Sequence, residues 1–141
     1  MQIDCTVFGQ VDIPDELVFS MPNGLYGFED IDQYALIAKE DDGVTLMWYQ
    51  STRTPVPCFV VFNPFEIVSG FEPEMEKADL KALETDNAGD LTFLVLAVVP
   101  EDISKTTVNL KSPLALNTQR RIARQVILRN DYPVKFPLAE E

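Results

Sequence analysis

Apolar residues fall in short, strand-like runs through most of this chain, and the first of them alternate with polar residues. In the opening stretch Ile3, Cys5 and Val7 sit between polar neighbours, the pattern of a strand with one face on a core. Gly9 breaks the run, and Val11 and Ile13 resume it until Pro14. Leu17–Phe19 is a further short apolar piece, stopped by the turn-rich Ser20–Gly27. β-Branched and aromatic residues predict strands over Tyr34–Ala38, Thr45–Tyr49, Pro57–Phe62, Leu91–Val99, Thr106–Leu110 and Ile122–Leu128. Asp41-Asp42-Gly43, Asn63-Pro64 and Asn130-Asp131 supply turns between them. Two apolar runs around Asn117-Thr118-Gln119 read as a hairpin.

One segment departs from this pattern. In Glu76–Glu84, Ala78 and Ala82 share a side and Leu80 and Leu83 lie three apart, among residues that propagate helix well. The spacing predicts a helix of about two turns, stopped by Thr85–Gly89. The pattern therefore predicts an all-β, mainly antiparallel fold: a small, partly open β-barrel-like domain with one or two short helices. No repeat, low-complexity tract or linker divides it, so residues 1–141 are expected to form one domain.

Composition supports a real core, with 46% hydrophobic residues and nine Phe. The longest apolar run, around Phe93–Pro100, is far below the ~20 residues of a membrane helix, and the first residues lack a cationic, apolar leader. A soluble cytoplasmic protein without membrane contact is expected. Cys5 and Cys58 lie in strand-like contexts, where buried free thiols are the first expectation and a cross-strand disulfide the alternative. There is no histidine, which removes the commonest general base and metal ligand. Neither a metal nor a cofactor is expected.

Charge is divided along the chain. Residues 1–102 hold 20 of the 23 acidic side chains and only Lys39, Arg53, Lys77 and Lys81 as cations. Residues 103–139 hold seven basic side chains against the single Asp131, and Glu140 and Glu141 complete a net charge of −12. An acidic body suits a basic partner and argues against direct nucleic-acid binding, which needs positive charge near phosphates. The arginines of the last third are expected to pair with the acidic body.

Catalytic readings find little support. No serine has a histidine partner or sits in a G-x-S-x-G elbow, and no lysine follows a phosphate-binding glycine loop. Glu29, Asp30 and Asp32, and separately Asp41-Asp42, match no calcium-loop spacing. A carboxylate-based hydrolase stays open only because acids are abundant. Glu72, Glu74 and Glu76 would share one solvated face of an extended segment. The loop Phe19–Phe28 is either a core-anchored turn or a binding loop, the latter requiring Met21, Leu25 or Tyr26 to be exposed. Phe65, after Asn63-Pro64, is expected to cap the core, and Trp48-Tyr49 to pack within it.

Five segments in order carry a family resemblance: IDCTVFGQVDI, FSMPNGLYGFED, NPFEIVSGFEPEM, NLKSPLALN and RQVILRNDYPVKFPL. Together they resemble the flagellar assembly factor FliW family over roughly residues 1–138. The resemblance implies a mainly β protein without catalytic activity. It also implies cytoplasmic binding of flagellin and of the small translational repressor CsrA, relieving repression of flagellin messenger RNA. Free flagellin would sequester the factor, and the repressor would be antagonised away from its RNA site. Four positions depart from the family pattern: Ala123 where glycine is common, Asn63 where aspartate is frequent, and Lys135-Phe136 in place of Arg-His.

For the repressor, the expected contact is the acidic stretch Glu66, Glu72 and Glu74 with apolar help from Ile67 and Phe71. For flagellin, it is Met21, Leu25 and Tyr26 together with Leu114 and Leu116. The alternative is a general interaction or export-chaperone-like β domain for another client.

Overall fold

Alternation in the sequence becomes the two faces of one curved sheet. The computed structural model describes residues 1–138, so the charges of Glu140 and Glu141 and the end of the expected 1–141 unit lie outside the described residues. The strands are β1 (Gln2–Cys5), β2 (Gly9–Asp12), β3 (Val18–Ser20), β4 (Gln33–Asp41), β5 (Val44–Ser51) and β6 (Cys58–Phe62). They continue with β7 (Thr92–Val98), β8 (Thr107–Val108), β9 (Leu114–Asn117), β10 (Ile122–Gln125) and β11 (Phe136–Pro137). Two short helices, α1 (Pro64–Ile67) and α2 (Lys77–Ala82), fall between β6 and β7.

Seven strands form a ring in the order β7-β6-β5-β4-β3-β10-β9, and β9 returns to β7. The all-β barrel predicted from the sequence is present, closed rather than partly open. Closure rests on two joints. β7 pairs with β9 over Thr92↔Leu116, Phe93↔Ala115 and Leu94↔Leu114. β3 meets β10 through the single parallel pair Ile122↔Ser20, where the Ser20 amide donates to the Arg121 carbonyl at 2.9 Å. The other pairings of the ring are antiparallel. β8 and β11 extend the sheet beyond β7.

Alternate residues of each strand enter the barrel. Phe19, Tyr34, Tyr49, Val61, Leu94, Leu114, Leu116 and Ala123 fill it, joined by Met21 and Leu25 from the loop after β3. The Tyr34 and Tyr49 rings stack 4.8 Å apart and 6° from parallel, and the Tyr49 hydroxyl donates to Met21 Sδ at 3.0 Å. Burial pushes the Tyr34 phenol up to about 12 and raises that of Tyr49 well above its ordinary range, with Tyr34 adding to the latter. Ala123, where the family pattern favours glycine, places its methyl in this interior.

Two layers cover parts of the outer face. The β1–β2 hairpin lays Ile3 and Ile13 on Val18, Ala35 and Ile37. On the other side Phe71, Leu83, Val126 and Leu128 cover Phe93, Val95, Ala97 and Ala115. A helix of six residues has little intrinsic stability, and α2 is held by others. Arg124 Nε reaches Asp79 Oδ1 at 2.8 Å, and Asn117 Nδ2 donates to the Leu83 carbonyl at 2.7 Å. Glu84, at φ +56°, then turns the chain away.

The predicted strand Ile122–Leu128 ends early, at Gln125. Beyond it the Val126 and Leu128 amides donate to the carbonyls of Pro113 and Lys111, continuing the contact without a regular ladder. Thr106–Leu110 shortens to Thr107–Val108, because Asn109 bends the chain by accepting from the Ser112 amide at 2.9 Å. Phe136, at the family's variant position, pairs with Val108 and packs on the outer core.

Candidate functional site

The segment from Asn63 to Glu76 builds an acidic shelf beside an aromatic cleft. Asn63 accepts from the Phe65 amide at 3.0 Å and Pro64 follows at the first helical position, so α1 starts where its sequence directs. Asn63 thus performs the capping that aspartate would. One turn of helix carries Phe65 outward, where it is 50% exposed, correcting the expectation that it closes the core. Its ring meets Phe71 edge-on at 5.2 Å and Phe93 at 6.3 Å. These aromatic residues, with Glu72, Pro73 and Leu91, line an open cleft of about 350 Å³.

Phe71 itself is buried and stacks on Tyr132 at 5.0 Å. The chain beyond it has no secondary structure but is fixed at several points. Tyr132 Oη accepts from the Glu72 amide at 3.1 Å. Asn130 donates to the Glu72 carbonyl at 2.8 Å and accepts from the Glu74 amide at 2.7 Å. The Arg129 amide donates to the Glu74 carbonyl at 2.8 Å, and Lys111 Nζ holds the Asn130 carbonyl from behind. The Glu72 and Glu74 amides and carbonyls are therefore satisfied internally, and the carboxylates of Glu66, Glu72, Glu74 and Glu76 remain exposed. Among the described residues only Glu76 of these has a salt-bridge partner, Arg129 Nε at 3.8 Å, an exposed pair that neutralises little.

Sequence reasoning located the acids and missed what positions them. Asn130 and Tyr132 lie more than fifty residues from the shelf, and no periodicity links them. The exposure of Phe65 was missed as well, although Asn at the cap position followed by Pro is a signal for the helix start that carries it.

A second surface lies at the loop after β3. Met21 and Leu25 are each 1% exposed, so of the three loop residues expected to touch a partner only Tyr26, at 60%, is available. The cause is closure of the barrel over the loop. Gly24, at φ +63°, lies so near Phe28 and Glu29 that an added Cβ would come within 2.6 Å of the Phe28 carbonyl oxygen. This tight turn lifts Tyr26 to the tip, where its amide donates to Gln125 Oε1 at 3.0 Å. Phe28 stands beside it, partly exposed, against Phe59 at 5.6 Å. Leu114 and Leu116 are buried in the barrel, a correction to their expected surface role. Ile67, the last residue of α1, is half-buried against the outer core, and Phe71 supports the cleft from inside.

The remaining polar clusters have structural roles. Arg53 Nε bonds Asp32 Oδ1 at 2.9 Å and holds that exposed carboxyl below its usual range, opposite to what a general acid needs. Cys5 and Cys58 are free thiols. Burial, with the nearby Cys5 adding to it, pushes Cys58 up to about 11 and keeps it a neutral thiol. Among the described residues no group of three or more His, Cys, Asp or Glu is placed to hold a metal, and no helix is long and apolar enough to cross a membrane.

The closed barrel with exposed acidic and aromatic patches defines a small β-barrel protein-binding module. Its lineage follows from comparison with known proteins. The family model described as FliW protein matches residues 2–138, and the chain belongs to the FliW family. It is 32% identical over 142 residues to the flagellar assembly factor FliW of Ruminiclostridium cellulolyticum, covering 100% of this chain and 96% of that protein. It is 34% identical over 141 residues to the same factor of Natranaerobius thermophilus, covering 98% and 92%. A crystal structure of the flagellar assembly factor FliW superposes with a TM-score of 0.87 at 26% identity, over 100% of this chain and 99% of that one. The chain is accordingly a flagellar assembly factor of this family.

Proposed function

We propose that this protein is a cytoplasmic, single-domain binding switch that holds flagellin and a CsrA-type translational repressor, relieving repression of flagellin messenger RNA. Family membership supports the flagellar role, and the shelf supports the second partner. Among the described residues Glu66, Glu72 and Glu74 have no salt-bridge partner, the Glu72 and Glu74 backbone is pinned by Asn130, Tyr132 and Arg129, and the half-exposed ring of Phe65 lies beside them. That arrangement suits a basic protein: carboxylates steer it in, and the aromatic cleft supplies apolar contact. Direct RNA binding does not suit it, since the shelf would repel phosphates. For flagellin, the exposed Tyr26 tip with Phe28 is the contact this reading retains from the loop.

The test is binding of purified repressor and purified flagellin, each alone, with salt varied. Both should bind. The double reversal Glu72→Lys/Glu74→Lys should slow repressor association most at low salt while leaving flagellin binding intact. Association unchanged at every salt concentration would remove the shelf from the proposal. Binding of neither partner would favour an export-chaperone-like role for a different client.

A further inference from the structure

The two layers outside the barrel do not meet. The hairpin stops at Trp48, where Phe8 packs edge-on at 4.9 Å, and the opposite layer stops at Val60 and Phe62. Between them lies an apolar trough of about 640 Å³, lined chiefly by Leu46, Trp48, Val60, Phe62, Val99 and Ile103. Ile103 is 75% exposed on its rim. Such contiguous apolar surface stands out in a chain of net charge −12.

The surroundings specify what fits. β5 is paired with β4 on one edge and β6 on the other, so the floor of the trough offers no free ladder to an added strand. Recognition must come from side chains standing on the sheet face. A helix supplies them at i, i+3, i+4 and i+7. Acidic turns bracket the trough: Glu40, Asp41 and Asp42 at the β4–β5 tip, and Glu101 and Asp102 beside Val99. Against these five carboxylates stand Lys39, engaged over the Phe8 ring at 4.6 Å, and Lys105. We infer that this trough docks an amphipathic helix of a partner protein whose apolar stripe is bordered by lysine or arginine. A second copy is disfavoured, because it would bring two chains of net charge −12 together, acidic turns included. The trough is separate from the acidic shelf, and its test uses different residues.

Trp48 is the only tryptophan and lines the trough, so its fluorescence reports occupancy. The probe is a synthetic leucine–lysine peptide with helical amphipathic spacing. Its controls are the same composition scrambled and a leucine–glutamate analogue. Saturable change of Trp48 emission is expected with the amphipathic leucine–lysine peptide alone, weakening as salt is raised. In Val99→Gln/Ile103→Gln, which preserves charge, binding should weaken about tenfold, equivalent to ~1.4 kcal/mol. Phe65→Gln, on the shelf, should not alter it. Equal response to the scrambled or glutamate peptide, or unchanged affinity in the double variant, would overturn the inference. So would a Trp48 change on raising protein concentration alone, which would assign the trough to a second copy.

Discussion

The carboxamide of Asn130 brackets Glu74, accepting from its amide at 2.7 Å while donating to the Glu72 carbonyl at 2.8 Å. One side chain from the end of the fold thereby sets the course of the acidic shelf. Asn130→Ala should lower stability by about 1 kcal/mol for the lost hydrogen bonds. It should also release the Glu74 amide to faster hydrogen exchange while the barrel strands stay protected. Unaltered exchange at Glu74 would mean that the Arg129 and Tyr132 contacts suffice.

Arg124 and Asp79 form the other long-range clamp, with the carboxylate side chain only 13% exposed. Removing the guanidinium leaves a poorly solvated charge, so Arg124→Ala should destabilise by about 1–3 kcal/mol, between the exposed and fully buried cases. Arg124→Ala/Asp79→Ala should recover part of that loss. A double-mutant cycle in urea measures the coupling, and additive losses would show that the pair contributes nothing.

Leu114 and Leu116 discriminate between core and contact roles. As buried residues of the barrel interior, each should cost about 2–5 kcal/mol on truncation to alanine. Near wild-type stability with loss of partner binding would instead return them to the surface role expected from sequence.

Alkaline titration tests the buried acids. Cys58 titrates in the fold at about 11 against an ordinary 9.0, and Tyr34 at about 12 against 10.0. The folded state retains these protons where the unfolded chain releases them. Their contribution is thus complete below pH 9 and is lost as pH rises toward 12. Urea midpoints should fall across that window, and less steeply in Tyr34→Phe. Alkylation of Cys58 in the native protein should be slow near neutral pH and accelerate as the thiolate forms. An equal fall in midpoint for Tyr34→Phe would remove that phenol from the explanation.

Legibility of the chain followed the range of the interactions. Strand alternation such as Ile3 and Cys5 between Gln2, Asp4 and Thr6 is local and appears directly in the sequence. So do the Asn63-Pro64 turn that ends β6 and the β9–β10 hairpin. What escaped depends on closure. Met21 and Leu25 look like a loop's apolar display until β3 meets β10 and the barrel shuts over them. The trough beside Trp48 was equally hidden, because an outward apolar residue on a strand reads as core until both covering layers are placed. The acids of the shelf were visible, but Asn130 and Tyr132 act on them through backbone contacts that leave no pattern in sequence.

The switch itself is decided by titrating flagellin into a complex of this protein with fluorescently labelled repressor. Flagellin should release the repressor as it saturates, whether the two compete for one surface or are coupled negatively across two. Saturating flagellin that leaves every repressor molecule bound would contradict the switch, whatever each partner's separate affinity.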